Sequence, residues 1–315
     1  MKNVTYTFLL FIVCSINNLH AQIAISSIEL EPLAENTIHS EFGVTPYLDG
    51  YIFASNFKDL KSASHYNLYY KNNKTNRVTL FSAILDTQLN QSSVVFTSDK
   101  SRVFFTSNLT PSDKFKKRSK ETITLKLFTA EFVNGRYKNI KSLPFNSNEY
   151  NVAFPAISPD GKKLYFSSDM PGGFGSSDIY VVDIKDDNKY SKPKNLGSKL
   201  NTKGRDNYPF VSNDNILYFS SDGRKGYGGL DVYKYDLAFD SEVMLLNKGV
   251  NSEKDDFAFS VLENNETAFV STNRYKDERN DEILKIKFNY SNSSPNLELE
   301  KDISFKNSKT EVAVK

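Results

Sequence analysis

Short runs alternating apolar and polar residues, rich in Val, Ile, Tyr and Phe, recur along the chain, and continuous helical periodicity is almost absent. Lys163-Leu-Tyr-Phe-Ser and Asp178-Ile-Tyr-Val-Val-Asp183 have the composition and period of strands. Two stretches are near copies. Phe154-Pro155-Ala-Ile-Ser-Pro-Asp160-Gly161-Lys-Lys-Leu-Tyr165-Phe166-Ser-Ser-Asp169 is echoed by Tyr208-Pro209-Phe-Val-Ser-Asn-Asp214-Asn215-Ile-Leu-Tyr218-Phe219-Ser-Ser-Asp222. From Ser168 and Ser221 the same ten-residue step crosses a glycine-rich connection to Asp178-Ile179-Tyr180 and Asp231-Val232-Tyr233. One folding unit is used repeatedly.

Weaker copies centre on Phe53, Phe105 and Val270, so the anchors Phe53, Phe105, Phe166, Phe219 and Val270 lie 52, 61, 53 and 51 residues apart. The long gap is assigned to the polar loop Thr110–Glu121, which lacks apolar periodicity. Ser158-Pro159-Asp160-Gly161 reads as a hairpin turn, Pro supplying a fixed φ and Gly a positive one; Asp214-Asn215 fills the same role one residue shorter. Units of about fifty residues each suffice for a four-stranded sheet, which must bury its faces against neighbours; a radial arrangement does so, and solenoid coils are shorter. The expected fold is an all-β propeller of four-stranded blades. It has five or six blades, according to whether Ile23-Ala-Ile25 or Ile28-Glu-Leu30 pairs with the last blade to close the ring.

These units resemble the TolB-type, WD-like β-propeller repeats of Gram-negative envelope proteins. Asn195–Thr202, Asn207–Pro209, Leu217–Gly223 and Gly226–Tyr233 together are similar to the propeller segment of OmpA-family envelope proteins, several of which belong to or accompany type IX secretion and gliding machinery. The resemblance covers residues 36 to 290 and is sharpest in units three and four. It implies a periplasmic or outer-membrane-associated protein. The OmpA-like peptidoglycan-binding domain that follows the propeller in that family is expected to be missing, since 25 residues follow Tyr290.

The first 21 residues read as a signal peptide: Lys2, the apolar run Phe8–Cys14, and Leu19-His20-Ala21 before Gln22. Cys14 is taken as part of that apolar run rather than a lipidated residue, because Ile12-Val13 precede it where small residues are wanted. The propeller is expected over 22–290, followed by a polar, flexible tail over 291–315. No other apolar run is long enough to cross a bilayer as a helix. Without Lys2, 39 Lys and Arg stand against 38 Asp and Glu, a balance that argues against nucleic acid as a partner.

The inventory for catalysis is thin. His39 and His65 alone follow the signal segment, and Gly173-Phe-Gly-Ser176-Ser-Asp fails the final glycine of a nucleophile elbow. Asp178 and Asp231 recur at equivalent positions, with Glu282 in the fifth unit, and recurrence suits a shared structural hydrogen bond better than an acid and base with different environments. The glycine-rich loops each carry an aromatic, Phe174 and Tyr227. The expectation is a non-catalytic exported scaffold without cofactor or metal, binding an envelope protein, with a secretion or OmpA-family complex in view. Its candidate contacts are Phe174, Tyr227, Arg224 and Lys225, with Lys116, Lys117 and Arg118 of the basic loop; Pro155, Asp160, Gly161, Asp178, Tyr180, Pro209, Asp231 and Tyr233 are the structural residues of the repeat. The alternative is a glycan-binding or glycoside-active propeller with loop carboxylates and aromatics around the channel mouth, a reading weakened by the absence of Trp.

Overall fold

The computed structural model describes residues 24–56, 66–81, 91–108, 124–185, 189–239, 241–262, 265–275 and 280–291. The signal segment with Cys14, His65, the loop carrying Lys116, Lys117 and Arg118, and the tail after 291 lie outside these residues.

Every described strand belongs to one of five four-stranded antiparallel sheets. The chain begins with β1 (Ala24–Pro32). Blade 1 is β2 (Glu41–Tyr47), β3 (Gly50–Ser55), β4 (Asn67–Asn72) and β5 (Arg77–Leu80); blade 2 is β6 (Gln91–Phe96), β7 (Arg102–Ser107), β8 (Lys126–Val133) and β9 (Arg136–Ser142). Blade 3 is β10 (Val152–Ile157), β11 (Lys163–Ser168), β12 (Asp178–Asp183) and β13 (Lys194–Asn195); blade 4 is β14 (Asp206–Val211), β15 (Ile216–Ser221), β16 (Asp231–Asp236) and β17 (Met244–Leu245). Blade 5 takes β18 (Asp256–Val261), β19 (Thr267–Thr272) and β20 (Glu282–Ser291) from the end of the chain and β1 from its start. The first strands β2, β6, β10, β14 and β18 touch in sequence, and β18 touches β2. The molecule is a closed five-bladed β-propeller. The sixth blade is ruled out because the N-terminal strand completes the fifth, in a register running from Ala24↔Ser291 to Pro32↔Leu284.

The repeat anchors are the hinge of each blade's core. Phe53, Phe105, Phe166 and Phe219 on the second strands pair in register with Tyr69, Phe128, Tyr180 and Tyr233 on the third. Their rings stack at 5.9, 5.7, 6.0 and 5.9 Å. Such pairs add about 0.5–1.5 kcal/mol each beyond area burial. The hairpin turns also repeat: Gly161, Asn215, Lys100 and Asn265 have φ of 70, 60, 56 and 54°, and each N–H closes on the carbonyl three residues back.

A second repeated feature shapes the axis. The third residue of every first strand, Gly43, Ser93, Phe154, Tyr208 and Ala258, has φ of 70, 49, 56, 54 and 49°. At each the ladder slips by a residue, as in a β-bulge with a left-handed residue. Four of the five are not glycine, so the conformation is imposed on residues that disfavour it. The freed N–H finds a partner across the blade seam: Gly43 donates to Ser271 Oγ at 3.0 Å and Phe154 to Thr106 Oγ1 at 2.9 Å. Pro155 and Pro209 follow two of the bulges on the strand edge that faces the axis, where a missing N–H leaves no donor unpaired.

The ring is locked where it closes. In the connection from β1 to β2, Glu35 accepts from the Lys71 ammonium of blade 1 and from Tyr51 Oη at 2.6 Å. Burial opposes ionisation of Glu35, yet these two donors hold its pKa below the usual 4.5. Replacing Glu35 with Ala strands a buried ammonium and should cost about 3 kcal/mol at neutral pH, read from a denaturant midpoint. Because the native pKa is the lower one, ionised Glu35 stabilises fully above pH 4.5. The stability gap between wild type and Glu35→Gln should therefore shrink as pH falls below that value; a gap that is flat down to the acid transition would show that Glu35 is not the titrating lock.

Candidate functional site

The two ends of the propeller differ. One end carries the first-to-second strand hairpins. The other, called here the loop face, carries the connections between blades and the second-to-third strand loops.

On the loop face four of the five connections are clasped by an asparagine among the described residues. Asn36, Asn146, Asn201 and Asn251 present their side-chain amides to the second residue of the third strand of the blade just completed, receiving its N–H and donating to its carbonyl. The partners are Ile283, Leu127, Ile179 and Val232, at 2.6–3.0 Å. The side chain thus imitates one more ladder pair. Five residues later, Glu41, Asp206 and Asp256 open the next first strand and accept both the N–H and the hydroxyl of Thr37, Thr202 and Ser252. Burial raises the pKa of Asp206.

Asp178 and Asp231 hold the glycine-rich loops. Asp178 accepts from the N–H of Phe174 at 2.5 Å and Gly175 at 3.1 Å, and Asp231 from Tyr227 at 2.9 Å and Gly228 at 3.0 Å. Both are buried, and burial pushes Asp231 upward against the pull of those donors. The loops press so closely on the following connection that a Cβ on Gly175 would lie 2.3 Å from the Thr202 carbonyl oxygen, and one on Gly228 2.2 Å from that of Lys254. Glycine makes the seam, and the adjacent aromatic is left outside. Phe174 and Tyr227 are 50% and 43% exposed.

Arg224 does not join them at the surface. Its guanidinium donates to the carbonyls of Lys199 and Leu200 and lies against the Phe219 and Tyr233 rings, so its charge is spent within the blade. Arg274 makes the equivalent bonds to Gly249 and Val250. Lys225 is exposed. Two further exposed apolar residues stand on this face and were missed from sequence: Tyr275 in the blade 5 loop, 61% exposed, and Ile38 in the closing connection, 83%. Neither sits in a glycine-rich copy, which is why the repeat pattern did not flag them. The repeated Asn was a legible signal, always five residues before the residue that opens or just precedes a first strand.

No carboxylate lines the axial cavity among the described residues. A cavity of about 260 Å³ opens between the hairpins and is walled by the five first strands, with Lys100 and Tyr208 as its titratable lining residues. Toward the loop face it is blocked by aromatic rings. Phe154 and Tyr208 lie 4.1 Å apart, Tyr208 and Phe257 4.9 Å, and Tyr208 reaches 6.4 Å from Phe42 between blades that are not neighbours. Asp178 and Asp231, expected as structural residues of the repeat, face the loop backbone. Among the described residues no cluster of three or more His, Cys, Asp or Glu is placed to hold a metal, and no helix is long and apolar enough to cross a membrane.

No protein-family model and no curated protein matches the chain. Solved structures do. TolB from Acinetobacter baumannii is 17% identical over 76% of this chain and 52% of its own, with a TM-score of 0.48, so the chain spans about half its length. A TolB-type protein from Agrobacterium tumefaciens is 15% identical over 80% and 78%, with a TM-score of 0.49. A gluconolactonase from Xanthomonas campestris is 13% identical over 76% and 69%, with a TM-score of 0.47. The architecture rests on the strand pairing above and not on these likenesses. The presence of an enzyme among them overturns the expectation that the chain is not an enzyme.

If glycine packing fixes the loops and the aromatics are surplus to stability, two substitutions separate. Gly228→Ala should cost about 1–3 kcal/mol through overpacking against Lys254, whereas Tyr227→Ala should stay within about 0.5 kcal/mol. Chemical denaturation measures both, and equal losses would mean that Tyr227 is a packing residue.

Proposed function

We propose that the chain is an exported envelope protein whose loop face docks a protein partner, with Phe174 and Tyr227 as fixed anchors and Tyr275 and Ile38 extending the same surface. The observation that carries this reading is the separation of roles within the loops. Buried Asp178 and Asp231 and close-packed glycines make the backbone rigid, and large apolar side chains stand in water on that rigid support. Aromatic anchors of this kind lose little conformational entropy on binding and dominate interface energies. Contiguous exposed apolar side chains otherwise carry an aggregation risk.

Export is supported by the charged, apolar and small-residue order of the first 21 residues. The likeness of residues 195–233 to the propellers of OmpA-family envelope proteins supports a partner from such an assembly, the secretion and gliding machinery included. The rim then supplies what a connector in an envelope complex needs, which is a stiff disc with one adhesive face.

The test is affinity capture from envelope extract with the mature chain, in parallel with Phe174→Ser and Tyr227→Ser. Both variants should keep the wild-type melting temperature and lose most of the captured partner, since a hot-spot side chain contributes about 2 kcal/mol or more. Capture unchanged in both variants would remove the loop face from consideration.

A further inference from the structure

The seam between blades 2 and 3 opens on the outer rim into a cavity of about 500 Å³. It is lined by Thr129 on β8, Lys141 on β9, Pro144 just beyond, and Lys185, Lys189 and Tyr190 in the connection from β12 to β13. That connection is tied to the hairpin end of blade 3, since the Ile184 N–H donates to the Lys162 carbonyl at 2.7 Å. The cavity is therefore remote from the loop face.

Two hydroxyls at its base are left over by the fold. Thr129 is 6% exposed, and both its Oγ1 and Tyr190 Oη are buried without a hydrogen bond of ordinary geometry, although they lie close to each other and to the Arg102 guanidinium. Buried hydroxyls without an acceptor are costly and few in native proteins. The Tyr190 ring is held edge-on to Phe145 at 6.0 Å, so its hydroxyl is fixed in place. At the mouth, the Lys185 N–H donates to the Lys189 carbonyl at 2.8 Å, and this closed turn keeps both exposed lysines beside Lys141 on the same rim.

No carboxylate lines the cavity among the described residues. Glu131 lies 4.0 Å from Lys141, at the limit of an ion pair, and accepts from Asn139 at 3.3 Å. Asp183 shares the opposite face of β12 with Ile179 and Val181 and is bridged there to Lys163 at 2.8 Å. Asp186 and Asp187 separate Lys185 from Lys189 in the chain and lie outside the described residues. With these two and Glu131 counted, three acids stand against the four cations Arg102, Lys141, Lys185 and Lys189. What distinguishes the base of the cavity is that its idle polar groups are donors.

We propose that this cavity binds a phosphoryl group, with oxygens on Thr129 Oγ1 and Tyr190 Oη and the charge met by Lys185, Lys189 and Lys141. A phosphate monoester presents three terminal oxygens and up to two charges, which suits two hydroxyl donors and several ammonium groups arriving from separate elements better than a carboxylate does. The site is separate from the docking surface and does not depend on it.

Calorimetric titration of the mature chain in about 0.15 M NaCl, where exposed charges are screened, tests this. Glycerol phosphate should bind saturably and at least about tenfold more tightly than acetate. Lys185→Ala combined with Lys189→Ala should weaken it at least about tenfold. Thr129→Val should weaken it about threefold or more, and Thr129→Ser, which keeps the hydroxyl, should restore it. All three should keep the wild-type melting temperature, and Lys163→Ala, on the other face of blade 3, should leave affinity unchanged. Flotation with phosphatidylcholine vesicles containing phosphatidic acid separates the sources of the group: binding lost in the lysine variant assigns a lipid headgroup, and soluble binding alone assigns a free phosphate ester, either of which upholds the site. No saturable binding, equal affinity for acetate and glycerol phosphate, or affinity that survives loss of the two lysines overturns it.

Discussion

Everything in this propeller depends on the ladder between β1 and β20. A blade buries one face against the blade before it and the other against the blade after, so an open row of five would leave two sheet faces bare. Pairing strands from opposite ends of the chain joins the row into a ring and gives every blade two neighbours. The closure is long-range: the Asn36 clasp on Ile283 spans 247 positions. It forms late in any folding order that favours local contacts, after each blade has assembled its own hairpins. The Glu35–Lys71 pair and the Asn36 clasp cluster in the connection that leaves this junction for blade 1, while β1 itself is held in blade 5 only by its ladder with β20.

Blades three and four announced themselves because their turns, anchors and third-strand starts recur almost letter for letter. Phe166, Tyr180, Phe219 and Tyr233 occupy the places that alternation and spacing assigned them. The closing strand was harder. Ile28 and Leu30 were legible as a strand that could pair with the last blade, but whether they close a fifth blade or leave room for a sixth was not, since pairing across the length of the chain leaves no trace in local pattern. The bulges were invisible for another reason. Gly43, Ser93, Phe154, Tyr208 and Ala258 share a backbone conformation and no side-chain chemistry; convergence of five strands on one axis sets φ there, whatever residue is present.

The candidate site divides in the same way. Sequence pointed to Phe174 and Tyr227 through the glycines beside them, and those glycines turn out to make the blade seam. Arg224 looked equivalent to Lys225 as a neighbouring cation, but only a three-dimensional neighbour explains why it is half-buried: the carbonyls of Lys199 and Leu200 stand ready for a planar donor with several N–H groups. Ile38 and Tyr275 lie at places where the repeat is irregular. The asparagine clasp lies between these extremes, since its five-residue spacing is written in the chain while its meaning as a substitute ladder pair is not.

The register of the closing ladder also decides how the molecule bears load. Ala24 and Ser291, where the described chain enters and leaves the ring, are partners at one end of the β1–β20 ladder. A pull applied through those two points loads the first rung alone, then the next, like a zipper opened from its slider. Strands pulled past each other lengthwise would instead share the force across all their rungs at once. The disc is stiff across its face and weak at its latch, so tension between whatever flanks residues 24 and 291 opens the ring by peeling a single strand while the other four blades stay intact.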